Sequence, residues 1–181
     1  MKTKKNIECD IFVIGAGLAG MIAAARASSL GLKTVQAGNS STLFFASGLF
    51  DLLGVYPMGS GKILSDPHPA IKKLQNDQPE HPYSKVSQNK IYGSFEFVTN
   101  FLDSAGLYYH LPGPIPGQNN KNILTSVGTL KPTYIVPETF SKGSDLHRSK
   151  KNLLIVDFKG LRGFSAKQAA EGLQLKTGDI H

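Results

Sequence analysis

Six consecutive residues, Gly15-Ala16-Gly17-Leu18-Ala19-Gly20, carry the spacing G-x-G-x-x-G. Small residues in this order do chemistry with main-chain atoms rather than side chains. Gly15 permits a tight turn out of a strand. Gly17 removes a side chain so that backbone can approach a pyrophosphate, and Gly20 lets the following helix pack close to a sheet. The free amides of that helix's first turn, together with the helix dipole, favour a phosphate. The bland alternative is a tight strand-helix turn without a ligand, and the flanking sequence weighs against it. Ile11-Phe12-Val13-Ile14 reads as a short buried parallel strand ended by Gly15. Residues 18–30, rich in Ala and closed by Gly31, read as a helix. Thr34-Val35-Gln36-Ala37 reads as a second strand, so residues 1–37 form a β-α-β unit. Gly15, Ala16, Gly17, Leu18, Ala19 and Gly20 are therefore candidate cofactor-binding residues.

One expected group is missing. A dinucleotide site usually ends its second strand with Asp or Glu, which holds the ribose hydroxyls. Here that position falls at or near Gly38, and Gln36-Ala37-Gly38-Asn39 contains no carboxylate. Gln36 or Asn39 would bind a hydroxyl more weakly, and no Arg is present for a 2′-phosphate. Plain NAD binding loses weight accordingly.

Other polar residues carry less. His81, between Glu80 and Pro82, is either an acid-base group or part of a structured turn, and the turn is the stronger reading. His68, His110 and His147 are isolated and lack metal-ligand spacing, so no metal site is assigned. Cys9, the single cysteine, rules out a disulfide framework and reads as a small packing residue. Lys159 and Arg162 flank Gly160 and either hold a substrate phosphate or face water, and Lys131 is similar. No catalytic base is assigned.

The elements that follow are irregular. Residues 38–47 are Ser/Thr-rich, 49–53 read as a short helix, and 54–69 as a loop. A short helix is expected over 70–75. Ile91, Phe95, Val98 and Leu102 place a helix over 89–105, stopped by Gly106. Residues 111–122 read as a loop, and 130–136 as an edge strand because of Pro132. A polar connection over 141–152 leads to Leu153-Leu154-Ile155-Val156, a second buried-strand run. Ser165-Ala166-Lys167-Gln168 fits a capping box that opens a final helix.

Composition sets the outer bounds. The chain has 181 residues, 40% apolar and 18% charged, with a formal net charge of +7. At this size roughly 70% of the unfolded surface can be buried. The absence of Trp, 9% aromatics and no basic stripe argue against a nucleic-acid partner. Lys2, Lys4 and Lys5, and later Arg148, Lys150 and Lys151, are solvated ends and loops, or a surface for anionic lipid, an acidic partner or a phosphorylated substrate. Glu8 and Asp10 interrupt what would otherwise resemble a secretory signal, and no apolar run approaches the ~18 residues of a spanning helix. The chain reads as cytoplasmic.

These residues also resemble known proteins. The segment from Asp10 to Gly20 looks like the start of two-dinucleotide-binding-domain flavoproteins. Leu43-Phe44-Phe45-Ala46-Ser47-Gly48-Leu49-Phe50-Asp51-Leu52-Leu53-Gly54 is similar to the segment after the second strand in the anaerobic glycerol-3-phosphate dehydrogenase B-subunit family. His81-Pro82-Tyr83-Ser84 resembles that family's His-Pro-Tyr element. Val127-Gly128-Thr129-Leu130-Lys131-Pro132-Thr133-Tyr134, then Val136-Pro137-Glu138-Thr139, resembles its Gly-Thr-Leu-x-Pro-Thr segment. The run from Leu154 to Arg162 is similar to the strand and turn that come next.

The resemblance implies a flavin-binding oxidoreductase subunit using FAD or FMN, the form undecided. It implies oxidation of glycerol 3-phosphate to dihydroxyacetone phosphate, with electrons passed to quinone. The implied partners are a catalytic flavoprotein subunit and an iron-sulfur membrane-anchor subunit, which would hold the chain on the cytoplasmic membrane face. Gly15 to Ala19 would meet the cofactor phosphate. Ser47 and Gly48 would lie near the isoalloxazine ring, unless Ser47 is a simple turn residue. The expected fold is α/β, a Rossmann-like FAD/NAD(P)-binding fold with a parallel sheet. Residues 1–69 would form the flavin-binding region, 70–151 an inserted α+β region, and 152–181 a return strand and helix. The family's chains are more than twice as long and carry a second flavin-binding stretch, so a truncated product is expected. Two other readings stand beside the enzyme: a non-catalytic electron-transfer or assembly subunit, and an inactive nucleotide-binding fragment.

Overall fold

The computed structural model describes residues 6–39, 46–112, 120–148 and 153–177. Residues 43–45, and Lys2, Lys4, Lys5, Lys150 and Lys151, lie outside them. The chain divides into two compact units, Met1–Gly48 and Leu49–His181.

The first unit is the expected β-α-β. Strand β1 (Ile11–Ile14) is followed by helix α1 (Leu18–Ser29) and strand β2 (Thr34–Ala37). The strands pair in parallel, from Ile11 opposite Thr34 to Ile14 opposite Ala37. Asp10 fixes the register from below: its amide donates to the Lys33 carbonyl (2.8 Å), and its carboxylate accepts from the Lys33 amide (2.7 Å). Gly31, at φ +79°, reverses the chain after α1, and its amide donates to the Ser28 carbonyl. Burial differs from the expectation. The apolar run of β1 predicts enclosure on both faces, yet Phe12 is 54% and Ile14 84% exposed. A single crossover helix covers one face of a two-stranded sheet, and alternate side chains on the other face stay in water.

The second unit holds the larger core. Helix α2 (His68–Asp77) buries Ile71 and Leu74 at i, i+3 spacing. After a 3-10 turn (Pro82–Lys85), helix α3 (Gln88–Ser104) buries Val98 and Thr99. The Ser87 side chain caps α3 by accepting from the Lys90 amide. Strand β3 (Tyr109–His110) pairs antiparallel with β6 (Val136–Pro137). Strands β4 (Lys121–Leu124) and β5 (Leu130–Thr133) form an antiparallel pair, with Pro132 opposite Asn122. Short helix α4 (Glu138–Ser141) follows, and helix α5 (Ala166–Thr177) ends the described chain. Tyr134 and Ile135, between β5 and β6, and Val136, the first residue of β6, lie at the centre of the core.

Two expectations fail here. Residues 49–53 form no helix. Phe50 bridges Ile135, accepting from the amides of Tyr134 and Ile135 and donating to the Ile135 carbonyl. Buried backbone donors need acceptors, and that demand outweighs the local helix preference. Leu153-Leu154-Ile155-Val156 joins no ladder, and Leu154 is 88% exposed. An apolar strand is stable only beside a partner strand, and none stands beside this run among the described residues. The Ser165 half of the capping box forms: Ser165 Oγ accepts from the Gln168 amide (3.3 Å), and the Asp157 carboxylate accepts from the Ala166 amide (2.8 Å). Helix α5 then packs against the turn before β5. A Cβ on Gly128, where φ is +82°, would lie 2.5 Å from the Ala169 carbonyl oxygen.

Candidate phosphate-binding loop

The glycine loop is assembled from three backbone segments in van der Waals contact. Gly15 leaves β1 at φ +120°, a conformation that side chains rarely adopt, and its amide donates to the Ala37 carbonyl (2.7 Å). Gly17 is the N-cap of α1, with extended backbone and no side chain to cap the helix. The Gly17 carbonyl accepts from the Met21 amide (3.0 Å), which begins the helical ladder. The amides of Leu18, Ala19 and Gly20 precede that ladder, so they have no intrahelical acceptor. The first turn carries no acidic residue to compete for them. Gly20 turns its bare Cα against β1: a Cβ there would fall on the Gly15 carbonyl, with the carbonyl carbon 2.9 Å away.

The missing carboxylate has a steric cause. A Cβ on Gly38 would lie 2.5 Å from the Ala16 amide nitrogen and 2.8 Å from the Gly15 carbonyl carbon. The end of β2 presses on the loop so closely that an Asp or Glu does not fit at this position. Gln36 is also committed: its Nε2 donates to the Gly15 carbonyl (2.8 Å), bracing the turn instead of leaving that amide for a ribose. What the loop offers is a concave row of main-chain donors, suited to a phosphate or pyrophosphate and unable to move a proton itself.

The remaining candidates separate from this loop. Gly15, Ala16, Gly17, Leu18, Ala19 and Gly20 are brought together. Ser47 and Gly48 end the first unit, Gly48 at φ +72°. His81 caps the 3-10 turn, its Nδ1 accepting from the Tyr83 amide (3.1 Å), with the two rings edge to face. That is the structured-turn role. Lys131 pairs with Asp51 at 2.7 Å, while Lys159 and Arg162 are exposed. Cys9 is a free, half-buried thiol. Among the described residues no His, Cys, Asp and Glu group could hold a metal ion, and no helix is long and apolar enough to cross a membrane.

One cluster is invisible to sequence reasoning. His68, isolated along the chain, shares a 3.0 Å hydrogen bond between its Nε2 and the Tyr134 hydroxyl, and the rings meet edge to face. Burial, with smaller contributions from Tyr92 and Asp66, pushes the Tyr134 phenol up to about 12. The partners are 66 positions apart. No short-range spacing signals such a pair.

Comparison with known proteins accords with the loop. Residues 10–181 match the family model described as FAD binding domain. The chain is 35% identical over 166 residues to the B-subunit of an anaerobic glycerol-3-phosphate dehydrogenase of Vibrio vulnificus (strain YJ016), covering 91% of this chain and 36% of that protein. It is 31% identical over 174 residues to a protein of the same name from Aliivibrio fischeri (strain MJ11), covering 93% and 36%. A protein of Halobacterium salinarum (strain ATCC 29341 / DSM 671 / R1), named as a probable B-subunit of the same enzyme, is 34% identical over 171 residues, with the same coverage. The chain thus spans about a third of the length of these curated relatives. No solved structure matches it.

Proposed function

Since this chain belongs to the FAD binding domain family, we propose that it serves as the flavin-binding part of an oxidoreductase resembling the B-subunit of anaerobic glycerol-3-phosphate dehydrogenase. The sequence leaves FAD and FMN open, and the family's cofactor is FAD. The α/β fold, with its parallel β-α-β unit, is the one this family uses to hold that cofactor.

The observation that carries the proposal is the uncapped first turn of α1, closed by Gly15, Gly20 and Gly38 with no room for a Cβ at the last two. In this reading the amides of Leu18, Ala19 and Gly20 receive the FAD pyrophosphate. Gly15, Ala16 and Gly17 let the phosphates approach the backbone. Ser47 and Gly48 lie beside the isoalloxazine ring, where a small residue permits approach and a hydroxyl donates a hydrogen bond. Bound FAD would supply the hydride-accepting chemistry, and the chain would bind, orient and tune it.

The substrate proposed is glycerol 3-phosphate, oxidised to dihydroxyacetone phosphate, with electrons passing to quinone. The proposed partners are a catalytic flavoprotein subunit and an iron-sulfur membrane-anchor subunit, and the site of action is the cytoplasmic face of the membrane. A second reading, an electron-transfer or assembly subunit without its own substrate chemistry, is favoured by one fact: no residue from Gly15 to Gly20 has a titratable side chain.

The test is anaerobic reduction of the flavin-loaded protein by glycerol 3-phosphate, alone and with its partner subunits. Bleaching of the visible flavin band without partners supports the dehydrogenase. Bleaching only with partners supports the electron-transfer reading. A protein that takes up no FAD contradicts both.

A further inference from the structure

The second unit contains a cleft of about 210 Å³, edged by His68, Gln88, Asn89 and Tyr92. His68, Gln88 and Tyr92 also border an apolar pocket of about 10 Å³ with Ile71, Ile91, Phe95 and Tyr134, too small to admit a guest but forming an apolar layer against the cleft. The first residue of α2 and the first two residues of α3 thus meet at one opening, above the fully buried Tyr134 ring.

The polar groups at this opening are paired in a way that leaves capacity for a guest. Tyr134 Oη and His68 Nε2 share one hydrogen bond, whose donor is set by the imidazole tautomer, so the second ring nitrogen, Nδ1, is a donor in one tautomer and an acceptor in the other. That nitrogen makes no hydrogen bond among the described residues. Gln88 Nε2 donates to the His68 carbonyl (3.2 Å), which leaves the Gln88 carbonyl oxygen as an acceptor. The Tyr92 hydroxyl donates to the Pro112 carbonyl (2.7 Å), so its oxygen can accept. Asn89 adds an exposed amide, both donor and acceptor.

The opening is therefore a mixed set of donors and acceptors over an aromatic and aliphatic floor, and among the described residues no Lys or Arg lines it. A phosphate or carboxylate offers acceptors only and needs positive charge. Asp66 adds negative charge next to the cleft, its carboxylate accepting from the His68 amide (2.9 Å). A hydroxyl compound both donates and accepts, and its CH groups suit the apolar floor. The volume is below the roughly 300–1,000 Å³ of sites for larger ligands, so the guest is compact.

We propose that this cleft binds a small uncharged polyol, held by His68, Gln88 and Asn89, with the buried Tyr134 acting as a positioning residue that fixes the His68 ring. The site stands independently of the flavin reading, because it lies wholly within the second unit.

Saturation-transfer NMR on the full chain without flavin tests it, with glycerol as probe and glycerol 3-phosphate and inorganic phosphate as competitors. Glycerol should give a saturable signal that neither anion displaces at equal concentration. Asn89→Trp, an exposed-rim change that fills the mouth, and Tyr134→Phe, which keeps ring shape, should each weaken glycerol binding roughly fivefold. Amide NMR spectra confirm that both variants stay folded, and Gln88→Leu replaces either one that does not. No saturable signal, a signal indifferent to the folded variants, or displacement by either anion overturns the proposal.

Discussion

The two units build sites by opposite means. The first concentrates donors on main-chain atoms and buries little: Ala27 is its buried apolar residue among those described, while Phe12 and Ile14 face water. The second arranges side chains around a core that includes Ile71, Leu74, Val98, Tyr134, Ile135 and Val136. A phosphate cradle needs only close backbone approach, which glycines supply locally. A side-chain cleft needs residues far apart in sequence to be fixed by packing. The first kind of site tolerates a thin core but no extra atoms, and the second tolerates surface change but depends on its core.

The largest effect should come from Gly128→Val. The residue sits at φ +82°, and its new Cβ would lie 2.5 Å from the Ala169 carbonyl oxygen. Strain and overpacking together should cost about 3 kcal/mol or more, read by urea unfolding as loss of the second unit. FAD titration of the first unit's loop should change far less, and equal loss of both would dissolve the contrast between the units.

Gly38→Asp comes next and sharpens the contrast. On sequence logic it restores the ribose-binding carboxylate. On the geometry its Cβ meets the Ala16 amide at 2.5 Å and distorts the cradle. FAD affinity should fall about tenfold, or about 1.4 kcal/mol, with the urea transition of the second unit unmoved. Tighter FAD binding would refute the steric account.

Tyr134→Phe leaves the ring packing intact and removes one part-buried hydrogen bond. The expected cost is about 1 kcal/mol near neutral pH, measured by denaturant unfolding. The phenol's pKa rises from 10.0 to about 12 on folding, so the folded state keeps a proton that the unfolded chain releases. Its contribution to stability is complete below pH 10 and is lost as pH climbs through 12. The wild-type chain should therefore lose more stability than Tyr134→Phe over that window. The smallest effect belongs to Lys131→Ala: its partner Asp51 and Lys131 itself are both partly exposed, and the change should be below about 1 kcal/mol by the same measurement.

The same contrast explains what the sequence discloses. Gly15, Gly17 and Gly20 act within a few residues of one another, so their spacing is visible in the string, as is the apolar period of α3. The pressure of Gly38 on Ala16 is one step less local: the absent acid is visible, but its cause is not. Phe50 reads as helical because its backbone serves Ile135, far along the chain, and no neighbour in sequence shows that. His68 looks isolated because Tyr134 completes it from 66 positions away. The run at Leu153 to Val156 looks like a strand because apolar composition records what a segment needs, not whether a partner stands beside it.

The central claim is that main-chain amides at the end of β1 and the start of α1 receive the FAD pyrophosphate. The direct measurement is amide NMR of the chain titrated with FAD and, separately, with riboflavin, which has the ring but no phosphate. The account predicts that the amides of Leu18, Ala19 and Gly20 shift with FAD and stay in place with riboflavin. Equal shifts with both ligands, or loop amides unmoved at saturating FAD, would contradict it.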